Sequence, residues 1–241
     1  RHSTLNSRMC RVKFLWDVLE ENGYRVVVAN YSVAWPPTLR RGIVIGGPAP
    51  LASPWRICFP KCFATKVLRG EYSPPTIKLE LRRSSNLLLR ERSHVTPLEA
   101  GVKPFSQLAR DVRRYRVLES PSYLLGLVGR EGYERALLLR GEKVVAELGE
   151  GEWSPWIIDR VLIDKGWVDA AVRVKLVRLA SDASDVRLYC SDVYAARGWC
   201  SRPELEDEII RAVGPYAEGF EHPGMHEDLG YTSWLEDGYK T

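Results

Sequence analysis

The chain has 241 residues, 45% of them hydrophobic, and a formal net charge of +4. This length holds one large or two smaller domains, and this apolar fraction suffices for an ordinary buried core. Acids and bases are mixed along most of the sequence, which argues against a nucleic-acid partner because such a footprint needs clustered Lys and Arg. We interpret the most basic stretch, residues 82–116, as a solvated face because few aromatic side chains are interleaved with its arginines.

Membrane and export signals are not visible in the sequence. No apolar run approaches the roughly 20 residues that cross a bilayer, and no secretory signal is apparent. We therefore expect no membrane partner and a cytoplasmic location.

The first elements in chain order are typical of an α/β layer. Residues 15–19 have apolar side chains at helical spacing, and Gly23 follows as a residue that can close a helix. The unbroken apolar run at 26–28 predicts a strand covered on both faces, as in a parallel sheet. A second strand is predicted at 42–45, where glycine and proline then stop it.

Three candidate substrate-binding residues, Asn30, Tyr31 and Trp35, come where the first predicted strand ends. The ligand-binding edge of an open α/β sheet lies at the carboxyl ends of its strands. An amide can donate a hydrogen bond to a phosphoryl oxygen, and aromatic rings can stack on a base or leaving group. For Trp35, which precedes two prolines, packing of the loop is the favoured alternative.

The hydrophobic period changes after a Pro-rich break at 71–75, where we place a domain boundary. Alternating patterns and turn residues then predict a mainly antiparallel β domain. We expect an α+β protein with an α/β segment at 1–72, the β domain at 73–200, and a return helix with a C-terminal loop at 201–241. The strands are predicted near residues 76–82, 87–89, 123–128, 135–139, 143–148, 153–162, 170–179 and 186–189.

For three segments the prediction is more detailed. Residues 62–68, before the boundary, are predicted to form a short helix or turn, and 170–179 to pair with 186–189 as a hairpin. Alternation within 170–179 predicts that Arg173, Lys175 and Arg178 face water. A helix is predicted to start at Pro203 with Ser201 as its cap, and to end at Gly214 and Pro215.

Five cysteines are present: Cys10, Cys58, Cys62, Cys190 and Cys200. Cys58 and Cys62 lack the two-residue spacing and the second pair that make zinc sites recognisable, so we favour buried free thiols. Cys190 and Cys200 are close enough in sequence to form a bridge in an oxidising or hyperthermophilic setting. The two methionines, with many Arg and Glu residues, fit a thermophilic source.

One segment gathers histidines and carboxylates, at residues 221–228. His222 and His226 are four residues apart and would share a metal ion on a helix. Pro223 and Gly224 lie between them and exclude that geometry. We therefore favour a structural loop at this position.

The order of these motifs resembles the type I phosphodiesterase/nucleotide pyrophosphatase branch of the alkaline phosphatase superfamily. In that group a Trp-x-x-Leu-x-x-x-Gly helix leads into a valine-rich strand, an Asn-containing loop, a Tyr/Trp-Pro-Pro turn and a strand that starts with Gly. The matching positions here are Trp16, Leu19, Gly23, Val26 to Val28, Asn30, Trp35, Pro36, Pro37 and Gly42. Later segments that resemble the same family are Gly151 to Ile157, Arg187 to Tyr189 and Val213 to Tyr216.

The resemblance implies an α/β segment of an alkaline-phosphatase-like fold with a β domain inserted into it. In the family, the nucleophile and one metal-binding Asp precede the helix that corresponds to Trp16, and further Asp and His ligands follow the position of Tyr216. We therefore expect a central fragment that is inactive alone, with no catalytic residue and no metal or other cofactor of its own. The parent enzyme would use two divalent metals, zinc or similar, on a small phosphoester or nucleotide.

Two further expectations complete the sequence-based prediction. Self-association through unpaired sheet edges is expected if parts of the sheet are separated from their neighbours. A protein of another class, a non-catalytic binding or assembly module, is the alternative function.

Overall fold

The computed structural model describes residues 6–31, 33–46, 55–66, 75–108 and 115–217. These residues form a strand-rich α+β protein with sixteen β-strands, three α-helices and one short 3-10 helix. The α+β class predicted from the sequence is confirmed at this level. Contacts divide the chain into two compact units, one of residues 1–56 and 195–218 and the other of residues 57–194 and 219–241. No helix within the described ranges is both long and apolar enough to cross a bilayer.

The first unit contains a small parallel sheet flanked by helices. Its elements are the 3-10 helix Ser7–Met9, helix α1 (Leu15–Glu21), strands β1 (Val27–Ala29) and β2 (Ile43–Ile45), and helix α3 (Pro203–Val213). Strands β1 and β2 are parallel, with Val28 opposite Val44. The predicted helix and both predicted strands are therefore confirmed. The predicted cover on both faces of β1 is wrong, because Val28 is buried but Val27 and Ala29 are exposed.

Helix α1 begins and ends with recognisable local signals. The Phe14 backbone N–H donates to Asp17 Oδ2 at 3.1 Å, so a first-turn carboxylate satisfies a donor that the helix leaves unpaired. Gly23 follows the helix with φ of 86°, a conformation that glycine adopts without steric cost. The helix packs Trp16 into a cluster with Val28 and Val44, which anchors it on the sheet.

Helix α3 has Pro203 at its first position and ends at Gly214, as predicted. The predicted cap at Ser201 is wrong. The residue before the helix is Arg202, which makes no side-chain cap, whereas Ser201 Oγ accepts from Val44 N at 2.9 Å. Because Ser201 N also donates to Val44 O at 2.9 Å, this serine holds the chain against β2 instead.

The second unit consists mainly of three sheets. Their strand orders are β11-β10-β9-β7-β6, β3-β16-β13-β12-β8 and β14-β15-β4-β5. Most neighbouring strands are antiparallel, and β4 and β5 are parallel. The unit boundary crosses β3 and β16. The strand bounds are β3 Arg56–Cys58, β4 Lys61–Ala64, β5 Thr76–Lys78, β6 Arg82–Arg83, β7 Leu98–Val102, β8 Val117–Glu119, β9 Tyr123–Val128, β10 Arg135–Arg140, β11 Lys143–Leu148, β12 Ile157–Ile163, β13 Gly166–Val172, β14 Val174–Leu179, β15 Val186–Cys190 and β16 Val193–Ala195.

The strand predicted at 87–89 is wrong, because helix α2 (Leu87–Glu91) occupies this segment. Asn86 precedes the helix, and its Oδ1 accepts from Leu89 N at 3.3 Å, which is a standard N-cap bond. The side chain of Leu89 is fully buried beside Gly126 of β9. A Cβ at Gly126 would lie 2.4 Å from Leu89 Cδ2, so the glycine lets the helix approach the sheet.

Two other predictions for this unit need correction. Residues 61–64 form strand β4 between β15 and β5, where a helix or turn was predicted. Residues 170–179 form the end of β13 and all of β14, which belong to different sheets. The break falls at Arg173, whose N–H donates to Ser191 Oγ at 3.0 Å. The hairpin of β14 with β15 is confirmed.

The side chain of Lys175 is also placed differently from the prediction. It was expected to face water, but it is only 7% exposed. Its ammonium group lies 5.7 Å from the centroid of the Trp153 ring, and the aliphatic stem of a lysine packs readily on apolar surface. Arg178 is exposed, as predicted.

Candidate functional site

The candidate loop follows β1, where Asn30 extends the sheet by one residue. Its backbone N–H donates to Ile45 O at 2.8 Å, and its φ is 47°. Asparagine tolerates this left-handed conformation better than most residues. Val33, further along the loop, has φ of 61°. A β-branched residue in this region costs about 1–2 kcal/mol, and such strain is concentrated at functional loops that their surroundings hold in place.

The side chain of Asn30 is held by a residue distant in sequence. Tyr216 donates its hydroxyl hydrogen to Asn30 Oδ1 at 2.6 Å. The Asn30 side chain is exposed, and no described residue accepts a hydrogen bond from its Nδ2. The bond to Tyr216 therefore fixes the orientation of the amide and leaves its N–H groups available to a ligand.

Trp35 packs within an aromatic cluster, which we call the tyrosine cluster and define as Trp35, Trp55, Trp199 and Tyr216. Trp35 meets Trp55 at 5.2 Å between centroids, Trp55 meets Tyr216 at 5.6 Å, and Trp199 meets Tyr216 at 5.9 Å. The first two pairs are edge-to-face, which is a favourable arrangement for aromatic rings. The main role visible for Trp35 is thus to pack the loop.

Tyr31 belongs to a second group of rings. It meets Trp16 edge-to-face at 5.2 Å, and Trp16 stacks on Phe14 at 4.3 Å. Trp16 is itself fixed, because its Nε1 donates to Thr38 Oγ1 at 3.0 Å. Tyr31 remains 58% exposed, so a supported aromatic ring is presented to solvent.

The structure therefore brings two of the three predicted residues to one cluster. Trp35 is part of the tyrosine cluster and Asn30 is bonded to it through Tyr216, whereas Tyr31 packs on the other group of rings. The sequence analysis did not identify Tyr216 as the partner of Asn30. Its Gly-Pro-Tyr turn was noted only as part of the family resemblance, and 186 positions separate the two residues.

A buried glutamate of α1 fixes the far end of the loop. Glu20 is 8% exposed, and its carboxylate accepts from the backbone N–H groups of Arg40, Arg41 and Gly42 at 2.6 to 2.9 Å. These bonds, that from Arg40 first among them, hold the pKa of Glu20 below its ordinary value against the opposing effect of burial. The loop thus enters β2 in a defined position.

Glu206 of α3 likewise accepts hydrogen bonds from three backbone N–H groups. Oε1 of Glu206 accepts from Gly198 N at 2.8 Å, Trp199 N at 2.9 Å and Cys200 N at 3.0 Å. This carboxylate is 4% exposed. It positions Trp199 under Tyr216, and therefore supports Asn30 indirectly. This role of Glu206 was not predicted from the sequence.

The part of the chain that the structure describes has no group of three His, Cys, Asp or Glu side chains that would hold a metal ion. Residues 109–114 of the basic stretch and the segment 221–228 lie outside the described residues. None of the five cysteines, Cys190 and Cys200 included, forms a disulfide bond. Cys58 and Cys62 are buried, as predicted, and Cys190 and Cys200 are buried too. Burial raises the pKa of Cys62 and of Cys190 to about 12.

The loop that follows β1 is suited to binding a ligand with a hydrogen-bond acceptor and a flat apolar part. An oriented amide donor lies at the carboxyl end of a parallel strand, and an exposed ring belongs to the same loop. Comparison of the chain with protein-family models, with curated proteins and with solved structures finds no match.

Proposed function

We propose that this chain is the central part of a metal-dependent phosphodiesterase or nucleotide pyrophosphatase of the alkaline phosphatase superfamily. The first unit would supply part of the α/β sheet, and the second unit would be the inserted β domain that shapes access of the substrate. The proposal starts from the order of motifs that resembles this family.

One structural observation supports the proposal most directly. The exposed amide of Asn30 lies at the carboxyl end of β1, held by Tyr216 at 2.6 Å. Ligands of open α/β sheets bind at this edge, and oriented N–H donors stabilise negative charge on oxygen. We infer that Asn30 donates to a phosphoryl oxygen of the substrate and that Tyr31 packs against its base or leaving group.

The exposure of apolar side chains on β1 and α1 also supports the proposal that this sheet is part of a larger parallel sheet. Strands of parallel sheets are normally covered on both faces, yet Val27 of β1 is 61% exposed and Leu15 of α1 is 72% exposed. Among the described residues, β1 has a strand neighbour only on the side of β2. Further strands and helices of a parent enzyme would cover these surfaces.

The two divalent metals of such an enzyme do not fit the side chains seen here. The described residues contain no suitable group of ligands, so the ligands of the metals are proposed to lie outside them. When bound, the metals would activate the nucleophile and neutralise the leaving oxygen. The residues of the described part would bind and orient the substrate.

Hydrolysis of bis(4-nitrophenyl) phosphate with added zinc or manganese tests the proposal. We expect no turnover by this chain alone and turnover by the protein encoded by the complete reading frame. In that protein, Asn30→Ala should lower kcat/KM by about a hundredfold, as for loss of one donor to a developing oxyanion. Asn22→Ala removes an exposed amide at the end of α1 and is the control. Turnover by this chain alone, or equal effects of the two variants, would contradict the assignment.

A non-catalytic binding or assembly module is the second candidate function. The exposed apolar side chains of the first unit, which are concentrated between Met9 and Tyr31, favour it. The complete reading frame separates the two candidates. A Thr or Ser nucleophile encoded before α1, with Asp and His ligands after Tyr216, supports the enzyme. A frame without them, together with no hydrolysis, supports the module.

A further inference from the structure

A charged cleft lies in the second unit, where β9 ends and β10 begins. Its volume is about 380 Å³, within the range of small-molecule sites. Val128 and Leu137 belong to the buried core behind the cleft, and most of the other lining residues are charged. The lining residues are Arg92, Val128, Gly129, Arg130, Glu134, Arg135, Leu137 and Glu147.

Two of the three arginines are brought together by one carboxylate. Arg92 Nη1 lies 3.2 Å from Glu147 Oε2, and Arg135 Nε lies 3.6 Å from Glu147 Oε1. Arg135 Nη1 also donates to Glu152 Oε2 at 3.0 Å, and the same oxygen accepts from Gly149 N at 2.7 Å. The guanidinium group of Arg135 is therefore positioned from two sides before any ligand arrives.

The third arginine supplies uncompensated positive charge. Arg130 is exposed and makes no ion pair or hydrogen bond with any described residue. The backbone just before it is fixed, because Gly129 N donates to Ser93 Oγ at 3.2 Å and Gly129 O accepts from His94 N at 2.9 Å. An unpaired guanidinium group on a fixed backbone next to Arg135 is a favourable arrangement for an anion.

The lining residues indicate which class of ligand the cleft binds. Three arginines face the two glutamates of the lining and Glu152, which pairs with Arg135, so the charges balance, and Arg130 is the arginine that no described carboxylate pairs with. The planar guanidinium fork matches the oxygens of phosphate. The cleft lining contains no aromatic side chain, and its two carboxylates would repel a continuous polyanion. Single-stranded nucleic acid prefers basic grooves with stacking rings, so the lining fits a small anion better than a nucleic acid.

We propose that this cleft binds a phosphate group, either free phosphate or that of a small phosphorylated molecule, with Arg130 and Arg135 as its principal ligands and Arg92 at the rim. The site belongs to the second unit alone, so the proposal does not depend on the function proposed for the Asn30 loop.

Titration of the full chain at constant ionic strength tests this site. Inorganic phosphate, phenyl phosphate and chloride are added in turn, and binding is followed through backbone amide signals in NMR spectra. We expect both phosphates, but not chloride, to shift the signals of residues 128–135. Tighter binding of phenyl phosphate would identify an organic phosphate as the ligand, and equal binding would identify free phosphate. Equal shifts with chloride, or shifts centred elsewhere, would overturn the proposal.

Variants separate a built site from general charge attraction. Arg130→Ala and Arg135→Ala should each weaken phosphate binding about tenfold, because a hydrogen bond to a charged group is lost. Arg178→Ala removes an exposed arginine outside the cleft, paired with Glu150, and should weaken binding less than twofold. Since Arg130 has no partner among the described residues, its loss should leave the thermal unfolding temperature unchanged. Equal weakening by Arg130→Ala and Arg178→Ala would show charge screening only and overturn the proposal.

Removal of the Glu147 carboxylate should strengthen phosphate binding, whereas removal of an arginine should weaken it. Glu147→Gln abolishes the charge that pairs with Arg92 and Arg135, so Arg92 loses its carboxylate partner and Arg135 keeps only Glu152. We expect phosphate to bind severalfold more tightly to this variant. Unchanged or weaker binding would contradict the assigned geometry.

Discussion

Glu20 and Glu206 each hold three consecutive backbone N–H groups in the first unit. An ionised carboxylate only accepts hydrogen bonds, so three converging donors match it well. Both side chains are buried, and a buried charge is tolerated only when it is satisfied in this way. These two residues define the shape of the loops on either side of β2.

Glu206→Gln should lower the free energy of unfolding by about 1–3 kcal/mol, because charge-assisted bonds from residues 198–200 become weaker neutral ones. Glu208→Gln is a matched control, since Glu208 is exposed on the same helix. A surface change of this kind costs less than about 0.5 kcal/mol. Chemical denaturation monitored by tryptophan fluorescence measures both. Equal losses would contradict the role assigned to Glu206.

Glu20 makes the stability depend on pH with a definite sign. Its pKa in the folded protein is lowered from an ordinary value of 4.5, mainly by the backbone N–H of Arg40. A carboxyl group of this kind stabilises the fold above its unfolded pKa, and the contribution is lost as pH falls through the folded pKa. The stability difference between the wild type and Glu20→Gln should therefore be greatest above pH 4.5 and shrink at lower pH.

Urea denaturation at a series of pH values measures this difference. Glu21→Gln is the control, because it removes the same charge from the adjacent, exposed position on α1. If the two variants differ from the wild type by the same amount at every pH, the three backbone bonds to Glu20 do not determine the effect.

At the scale of elements, the end of β2 and the ring of Tyr216 are in close contact. Gly46 follows β2 with φ of 62°, and a Cβ there would lie 2.5 Å from Tyr216 Cζ. The Gly46 N–H donates to Trp199 O at 2.7 Å. The glycine therefore allows the tyrosine cluster to lie against the strand end and to reach Asn30.

Gly46→Ala should displace Tyr216 and break its bond to Asn30. Gly141→Ala is a close control, since Gly141 also has φ of 62° but no atom within 4 Å of its added Cβ. The control isolates the cost of the left-handed conformation, about 1 kcal/mol or somewhat more. We expect the free energy of unfolding to fall further for Gly46→Ala and its near-UV circular dichroism to change. Equal destabilisation with unchanged aromatic signals would contradict this contact.

The elements that the sequence predicted correctly are those with local signals. Helix α1 and strands β1 and β2 follow from helical spacing, an apolar run and glycines within a few residues. The strand at 61–64 was missed because its partners, β15 and β5, are set by tertiary pairing. The helix at 87–91 was missed because its run of leucines was taken for a strand and the Asn86 cap was not weighed.

The candidate site was predictable to a similar extent. The position of Asn30 at a strand end follows from the carboxyl-edge rule, and this required no distant residue. Its bond to Tyr216 spans 186 positions, so no periodicity could indicate it. Lys175 was misplaced for the same reason, because its burial depends on Trp153, which lies outside the strand.

At the scale of the whole molecule, exposed apolar side chains are unevenly distributed. Seven of the large exposed hydrophobic residues in the described part lie between residues 9 and 31, and five lie elsewhere. They are Met9, Val12, Leu15, Val18, Tyr24, Val27 and Tyr31. Large exposed apolar patches mark sites of interaction with another protein segment, so this part of the first unit is a candidate for such a site. The edge of β1 adds unpaired backbone groups that favour pairing with a further strand.

Without covering segments, this surface should make the isolated chain self-associate. Sedimentation velocity over a range of concentrations should show larger species as concentration rises, and Val27→Lys should shift the distribution to the monomer. A lysine on an edge strand opposes pairing, because its charge would have to be buried between chains. Val213→Lys is the control, since Val213 is 62% exposed and Val27 is 61% exposed, but Val213 lies on α3. A monomer at every concentration, or equal effects of the two lysines, would show that the β1 edge is not an association surface. In the proposed parent enzyme, the same Val27→Lys change should destabilise the fold, because the larger sheet would bury this side chain.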